Sequence, residues 1–224
     1  MQYTAFRLAF RSPVHIGSNR PGFEHTERYI HSDTLFSALM QSWSVLFPHD
    51  LERFFSDGEE PSVTFPYFQI SSAFPWIGEN YFFPRPYRST GPLAVGEPSP
   101  RRAKQIKRLV WLEQSLFEAW LNGSPPAFKP EETFGDGVFW SPGQKEGKTD
   151  NSSPFRTEDS ARIIMNRNTN ETTPFYFTRL FFAPNAGLFF LARFKDDSWR
   201  KKFTAALRLL GDEGLGGDRS VGHG

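Results

Sequence analysis

Gly211-Asp212-Glu213-Gly214-Leu215-Gly216-Gly217-Asp218-Arg219-Ser220-Val221-Gly222-His223-Gly224 is the stretch that decides how the chain is read. Six of these fourteen residues are glycine. Glycine tolerates positive φ and lets another backbone come close. A loop of glycines therefore turns its N–H groups outward as an anion cradle. Arg219 adds a fixed positive charge, and Ser220 and His223 add polar groups. A helical segment precedes the loop, Trp199 to Leu210, with Phe203, Leu207 and Leu210 on one face. Gly211 stands where a C-cap glycine belongs. No Gly-Lys-Ser/Thr follows, and the loop comes after a helix, so it is not a nucleoside-triphosphate P-loop. Gly214-Leu215-Gly216 starts a dinucleotide-like pattern, but its sixth position is Arg219 and no strand leads in. A flexible tail is the plain alternative. Leu215, Val221, Asp218 and Arg219 argue against a simple Gly/Ser linker.

Outward from the loop, alternation and helical stripes give the fold. Thr4, Phe6, Leu8 and Phe10 alternate with Ala5, Arg7 and Ala9, a first strand with one buried face. A helix capped by His31 or Ser32 runs to about Phe47, with Leu35, Leu39, Trp43 and Leu46 as its stripe. Asp33 suits its positive end and Pro48 stops it. Val63 to Pro86 is aromatic and extended, with a turn at Gly78-Glu79-Asn80. Phe175 to Phe182 and Leu188 to Phe194 read as a hairpin around Pro184-Asn185-Ala186-Gly187. The order is strand, helix, strand, strand, helix, glycine loop. That predicts an α+β, ferredoxin-like (RRM-like) antiparallel sheet, with its final strand expected beyond Gly224.

A long insertion, about residues 85 to 160, interrupts this single 1–224 domain. Its first part, Arg85 to Arg108, holds seven basic residues against one acid, Glu97. A strand is expected at Leu109 to Leu112 and a helix from about Glu113 to Leu121. Ser124 to Ser160 is rich in Pro, Gly, Ser and charge, and predicts little regular structure.

Composition sets the outer limits. Aromatic content is 17%, with Phe 25, enough for a core. Net charge is +1, so a nucleic-acid surface must come from local clustering. Without cysteine, neither disulfides nor a cysteine zinc site can form. The N-terminus has no signal-peptide core and no apolar run reaches membrane-spanning length, which fits a cytoplasmic protein. His25, Glu27 and His31 fit no common zinc spacing, and no nucleophile motif is present. No metal or cofactor is expected.

Several stretches together resemble one family. His31-Ser32-Asp33-Thr34-Leu35-Phe36-Ser37-Ala38-Leu39 resembles the first helix of RAMP-superfamily proteins of CRISPR effectors. Phe74-Pro75-Trp76-Ile77-Gly78 with Tyr81-Phe82-Phe83-Pro84-Arg85-Pro86 resembles a second block of that family. Lys104-Gln105-Ile106-Lys107-Arg108-Leu109-Val110-Trp111-Leu112 resembles a third, and Gly211 to Gly224 its glycine-rich loop. The combination is similar to the type III-A (Csm) subunit that caps the 5′ end of the guide RNA (crRNA). The resemblance implies a non-catalytic role in antiviral defence. Such a subunit holds the 5′ handle of the crRNA and joins the large polymerase/cyclase subunit to the first backbone RAMP subunit. It also implies target RNA nearby, a β-hairpin thumb, and a second ferredoxin-like half after the loop.

The residues expected to contact RNA follow from phosphate chemistry, which needs Arg, Lys and backbone N–H donors. They are His15, Ser32, Lys104, Lys107, Arg108, Arg162, Asn166, Arg167, Gly214, Gly216, Gly217, Arg219, Ser220 and His223. A solvated charged face is the plain reading of Arg101 to Arg108. Two other functions stay open. Histidines near the first strand and helix act as acid–base groups in related RAMP ribonucleases, so His15 or His31 could serve a metal-independent crRNA-processing endoribonuclease. His31 reads more simply as an N-cap or packing residue, since no Lys or Tyr partner can be identified from sequence. The third reading is a protein-only interaction module completed by a partner strand.

Overall fold

The computed structural model describes residues 2–17, 22–51, 54, 67–87, 100–124, 127–143 and 153–216. In chain order its elements are β1 (Thr4–Leu8), α1 (Ser32–Leu46), β2 (Phe68–Ile70), β3 (Phe74–Ile77), β4 (Asn80–Pro84), α2 (Pro100–Arg108), β5 (Trp111–Glu113), α3 (Gln114–Leu121), β6 (Thr133–Phe134), β7 (Phe139–Trp140), β8 (Phe155–Met165), β9 (Thr172–Phe182), β10 (Ala186–Phe194) and α4 (Asp197–Glu213). The chain divides into two compact units. Met1–Ala73, Thr157–Phe181 and Leu188–Gly224 make one; Phe74–Arg156 and Phe182–Gly187 make the other.

The first unit is the α+β, ferredoxin-like part. β10 lies between β1 and β2 and runs antiparallel to both. Phe6 faces Phe190 across one seam, and Phe68 faces Phe194 across the other. Because side chains alternate along a strand, Phe6, Phe68, Phe190 and Phe194 share one face. Helices α1 and α4 pack together over it. Phe203 of α4 is fully buried, with ring centroids 5.4 Å from Phe6, 5.2 Å from Phe68 and 5.1 Å from Phe194. Trp43 of α1 stacks on Phe68 at 5.5 Å and on Trp199 at 5.9 Å. Such ring pairs add about 0.5–1.5 kcal/mol each beyond the area they bury. They explain why so many phenylalanines sit at alternate positions of these strands.

Helix ends follow their local chemistry. α4 starts at Asp196, whose carboxylate accepts from the Ser198 and Trp199 N–H groups. α1 starts at His31, which makes no side-chain cap. The Ser32 N–H is satisfied from elsewhere in the fold, by the Ser72 hydroxyl at 3.1 Å. The cap expected at Gly211 lies further on: α4 runs through Gly211 and ends at Gly214, φ +85°, whose N–H donates to Leu210 O at 2.9 Å. Leu210 is buried, and its packing draws the helix past a residue that would otherwise end it.

The hairpin expected from Phe175–Phe182 and Leu188–Phe194 is not formed. β9 pairs with β8 as a separate two-stranded ribbon, while β10 joins β1 and β2. The reason lies in burial. β10 is buried through its first five residues, as a central strand must be, whereas the distal half of β9 is exposed. An exposed strand finds a polar partner, and β8, Phe-Arg-Thr-Glu-Asp-Ser-Ala-Arg-Ile-Ile-Met, is that partner.

In the second unit β3 and β4 form a hairpin at Gly78, with Trp76 opposite Tyr81. β4 pairs antiparallel with β5, β5 parallel with β7, and β7 antiparallel with β6. Its core holds Ile106, Leu109, Leu112, Leu116, Trp120, Phe128 and Trp140. The expectation of little regular structure over Ser124 to Ser160 is corrected here. A Pro130–Glu132 3-10 turn, β6, β7 and the start of β8 all fall within it. Phe139 and Trp140 are at most 1% exposed, so burial orders strands too short to show a period.

Candidate nucleic-acid interface

The glycine loop begins against the segment after β1. Leu215 is buried, and Gly216 has φ +112°. A Cβ at position 216 would lie 2.6 Å from the His15 carbonyl oxygen. Both the dihedral and the close approach require glycine there. The surface it lies on is firmly held. Val14 and Leu180 exchange backbone hydrogen bonds of 2.9 and 2.7 Å. The Ile16 N–H donates to the Thr26 hydroxyl at 2.9 Å, and Ile16 O accepts from the Glu27 N–H at 2.9 Å.

His15 is 5% exposed. Its Nδ1 lies 2.9 Å from the Thr178 carbonyl oxygen. A carbonyl can only accept, so Nδ1 carries the proton in this contact. The ring packs 4.5 Å from Phe177, and the Arg162 guanidinium lies over the other partner of that contact, 4.6 Å from the Phe177 centroid. The Thr178 hydroxyl lies 2.6 Å from the Asp159 carboxylate, tying β9 to β8. His15 thus joins the base of the β8–β9 ribbon to the strand that supports Gly216.

Beside this junction is a cleft of about 400 Å³ lined by Ile16, Gly17, Thr34, Ser37, Gln41 and Gly216, among others. Thr34, Ser37 and Gln41 recur at helical spacing and form the exposed face of α1, opposite buried Leu35, Leu39 and Trp43. The cleft therefore combines the hydroxyl and amide groups of α1 with glycine backbone and the apolar side chains of Ile16, Ile30, Ala38 and Leu215. The N-terminus of α1 is not its anion site: Ser72 takes the Ser32 N–H, and the Asp33 carboxylate takes the Thr34 N–H at 2.7 Å.

Of the residues expected to contact RNA, the structure brings together His15, Gly216 and Arg162, whereas Gly214 lines another cleft with Arg7, Phe10 and Leu207. Ser32 is the first residue of α1. Asn166 shapes the tip of the β8–β9 ribbon, accepting from the Asn168 N–H with its side chain and from the Asn170 N–H with its carbonyl. Arg167 is exposed at the same tip, past the end of β8, which runs about 10 Å beyond Arg162. Lys104, Lys107 and Arg108 are on α2, in the second unit. Gly217, Arg219, Ser220 and His223 lie outside the described residues.

Three features escaped the sequence reading. Phe177 links His15 to Arg162, a contact between residues far apart in the chain. The polar face of α1 was visible only as the complement of its apolar stripe. Tyr29 is the missing partner of His31: its hydroxyl lies 3.2 Å from His31 Nε2. Burial, and then the negative charge of Glu27, raise the Tyr29 pKa above its ordinary value. Among the described residues no group of three His, Asp or Glu side chains could hold a metal ion. No described helix is long and apolar enough to cross a membrane.

Known proteins share this architecture. Csm4 of the CRISPR system of Thermococcus onnurineus (strain NA1) is 25% identical over 200 residues, 86% of this chain. The chain spans 60% of the length of that relative. A crystal structure of a Csm3-Csm4 subcomplex of the type III-A CRISPR-Cas interference complex matches 97% of this chain and 66% of its own, with a TM-score of 0.62 and 15% identity. A Csm1-Csm4 cassette in complex with cA4 matches 94% of this chain and 66% of its own, with a TM-score of 0.60 and 21% identity. These structures agree in fold. The sequence profile of the RAMP superfamily matches residues 7–224. By that match, which runs from the end of β1 through the glycine loop, the chain belongs to the RAMP superfamily.

Proposed function

We propose that the protein is the type III-A CRISPR effector subunit that binds the 5′ handle of the crRNA and bridges the large polymerase/cyclase subunit to the backbone RAMP subunit, without cleaving RNA itself. Its likeness to Csm4, and to Csm4 assembled with Csm1 and with Csm3, supports the assembly role. The observation that carries the RNA-binding part is Gly216. Only glycine fits where its backbone seats on the His15 carbonyl at the cleft, and the glycines that follow would offer backbone N–H groups to phosphates. Arg219, Gly217, Ser220 and His223 would extend that cradle. Arg162, near the outer end of β8, and Asn166 and Arg167 at the ribbon tip would supply further polar and cationic contacts. Lys104, Lys107 and Arg108 are the phosphate contacts offered by the second unit. His15 acts from beneath, by holding the ribbon and the loop in register.

A metal-independent endoribonuclease is the second reading, and the Tyr29–His31 pair is what favours it. Tyrosine and histidine in contact can share proton transfer. Incubating the protein with crRNA repeat RNA in EDTA separates the two. Stable binding of the handle with intact RNA is the expected result. Cleavage that His31→Ala abolishes would overturn the scaffold reading.

A further inference from the structure

The second unit carries a cationic groove whose residues are separate from the glycine cleft. Helix α2 contains five basic residues and no acid over its nine positions. Its two faces differ in role. Arg102, Ile106 and the following Leu109 turn inward; Ile106 and Leu109 are buried, and Arg102 donates to the Phe128 carbonyl at 3.0 Å. That bond fastens α2 to the Phe128–Glu132 segment. Arg101, Lys104, Lys107 and Arg108 are all exposed. Among the described residues none of these four makes an ion pair. Arg101, Gln105 and Arg108 form one wall of a groove of about 390 Å³, and Phe128, Pro130 and Glu131 line the other. That volume lies within the usual range for small-molecule pockets.

We propose that this groove is a second single-stranded RNA site, taking successive phosphates along α2 and one unstacked nucleotide between the arginines and the Pro130 wall. The proposal rests on the reading of the protein as an RNA-binding subunit. From Arg101 to Arg108 the helix rises about 10 Å, the run of two to three phosphates of a stacked strand. Two guanidiniums at the lip supply bidentate phosphate contacts and flat faces for a base. Gln105 and Glu131 supply a donor and acceptors for its edge. A protein partner fits less well, because lysine is depleted at the centres of protein interfaces, and the exposed positions of α2 are Pro100, Ala103 and the four cations, Lys104 and Lys107 among them.

The test is anisotropy with a fluorescein-labelled 12-nucleotide oligouridylate, titrated with the full chain at a series of salt concentrations. Wild type, Arg101→Gln/Arg108→Gln and Gly216→Val are compared. Each single-strand phosphate contact contributes about 0.7 to the log–log slope, so the double variant should flatten it by about 1.4. If the curves converge at 1 M salt, that is about 25-fold weaker binding at 0.1 M. Gly216→Val should retain the α2-dependent part of the slope, which separates this site from the glycine cleft. Unchanged slope and affinity in the double variant would overturn the proposal, even if Gly216→Val loses handle binding. Displacement of the oligouridylate by polyglutamate at equal charge concentration would assign the face to an acidic protein and overturn it too.

Discussion

Replacing Gly216 by alanine tests the junction on which the RNA-binding reading stands. The added Cβ would meet the His15 carbonyl oxygen at 2.6 Å, a distance at which something must move. The His15 segment resists movement, because Val14 and Ile16 on either side are both held by backbone hydrogen bonds. The φ of +112° is strained for any side chain, about 1–3 kcal/mol by itself. The loop should therefore lift away, taking its N–H groups off the cleft. At about 2–4 °C per kcal/mol for a chain of this size, Tm should fall by roughly 2–12 °C. Gly17 is the internal control. It lines the same cleft, but nothing lies within 4 Å of a Cβ built there. Gly17→Ala should change stability by no more than about 0.5 kcal/mol. Calorimetry gives the stability, and filter binding of crRNA handle RNA gives the affinity. If Gly216→Ala matches Gly17→Ala in both, the loop is not seated on His15 and the reasoning fails.

Two further outcomes concern the second unit. Burial pushes the Glu132 carboxyl up, but hydrogen bonds from Lys129 and Trp140 and from the Gly143 N–H outweigh it and hold its pKa below the ordinary value. A depressed carboxyl pKa stabilises the fold above its unfolded value, about 4.5, and that stability is lost as pH falls through the folded value. Glu132→Gln should remove this acid-side dependence, seen as a smaller loss of stability, followed by tryptophan fluorescence, as pH falls below the ordinary carboxyl range; an unchanged dependence would show that the Trp140 contact is not formed. Amide exchange should protect the Val138 and Ser141 N–H groups, which donate to Gly135 O and Glu132 O beside the buried Phe139 and Trp140 rings, relative to Arg167 and Thr169 at the exposed ribbon tip. Equal exchange in the two stretches would contradict the order of β6 and β7.

Local chemistry alone determined β1, α1, the aromatic strands, the last helix and the ferredoxin-like class. Each rests on a period or a breaker within a few residues: Phe6 and Leu8 alternating, Leu35, Leu39 and Trp43 in a stripe, Pro48 as a stop. The glycine loop was legible for the same reason, and at Gly216 only glycine permits the backbone. What required the tertiary structure was every choice among partners. β9 could pair forward to β10 or back to β8, and burial of β10 between β1 and β2 chose β8. Gly211 could have ended α4, and the packing of Leu210 carried the helix to Gly214. Phe139 and Trp140 form one strand of two residues, too short for any period, which exists because the core around Phe82 and Phe128 closes over it. The contacts between Tyr29 and His31, and from His15 through Phe177 to Arg162, depend on side-chain directions set by the folded backbone. A sequence states which residues can bind phosphate; burial and chain crossing decide which of them share a surface.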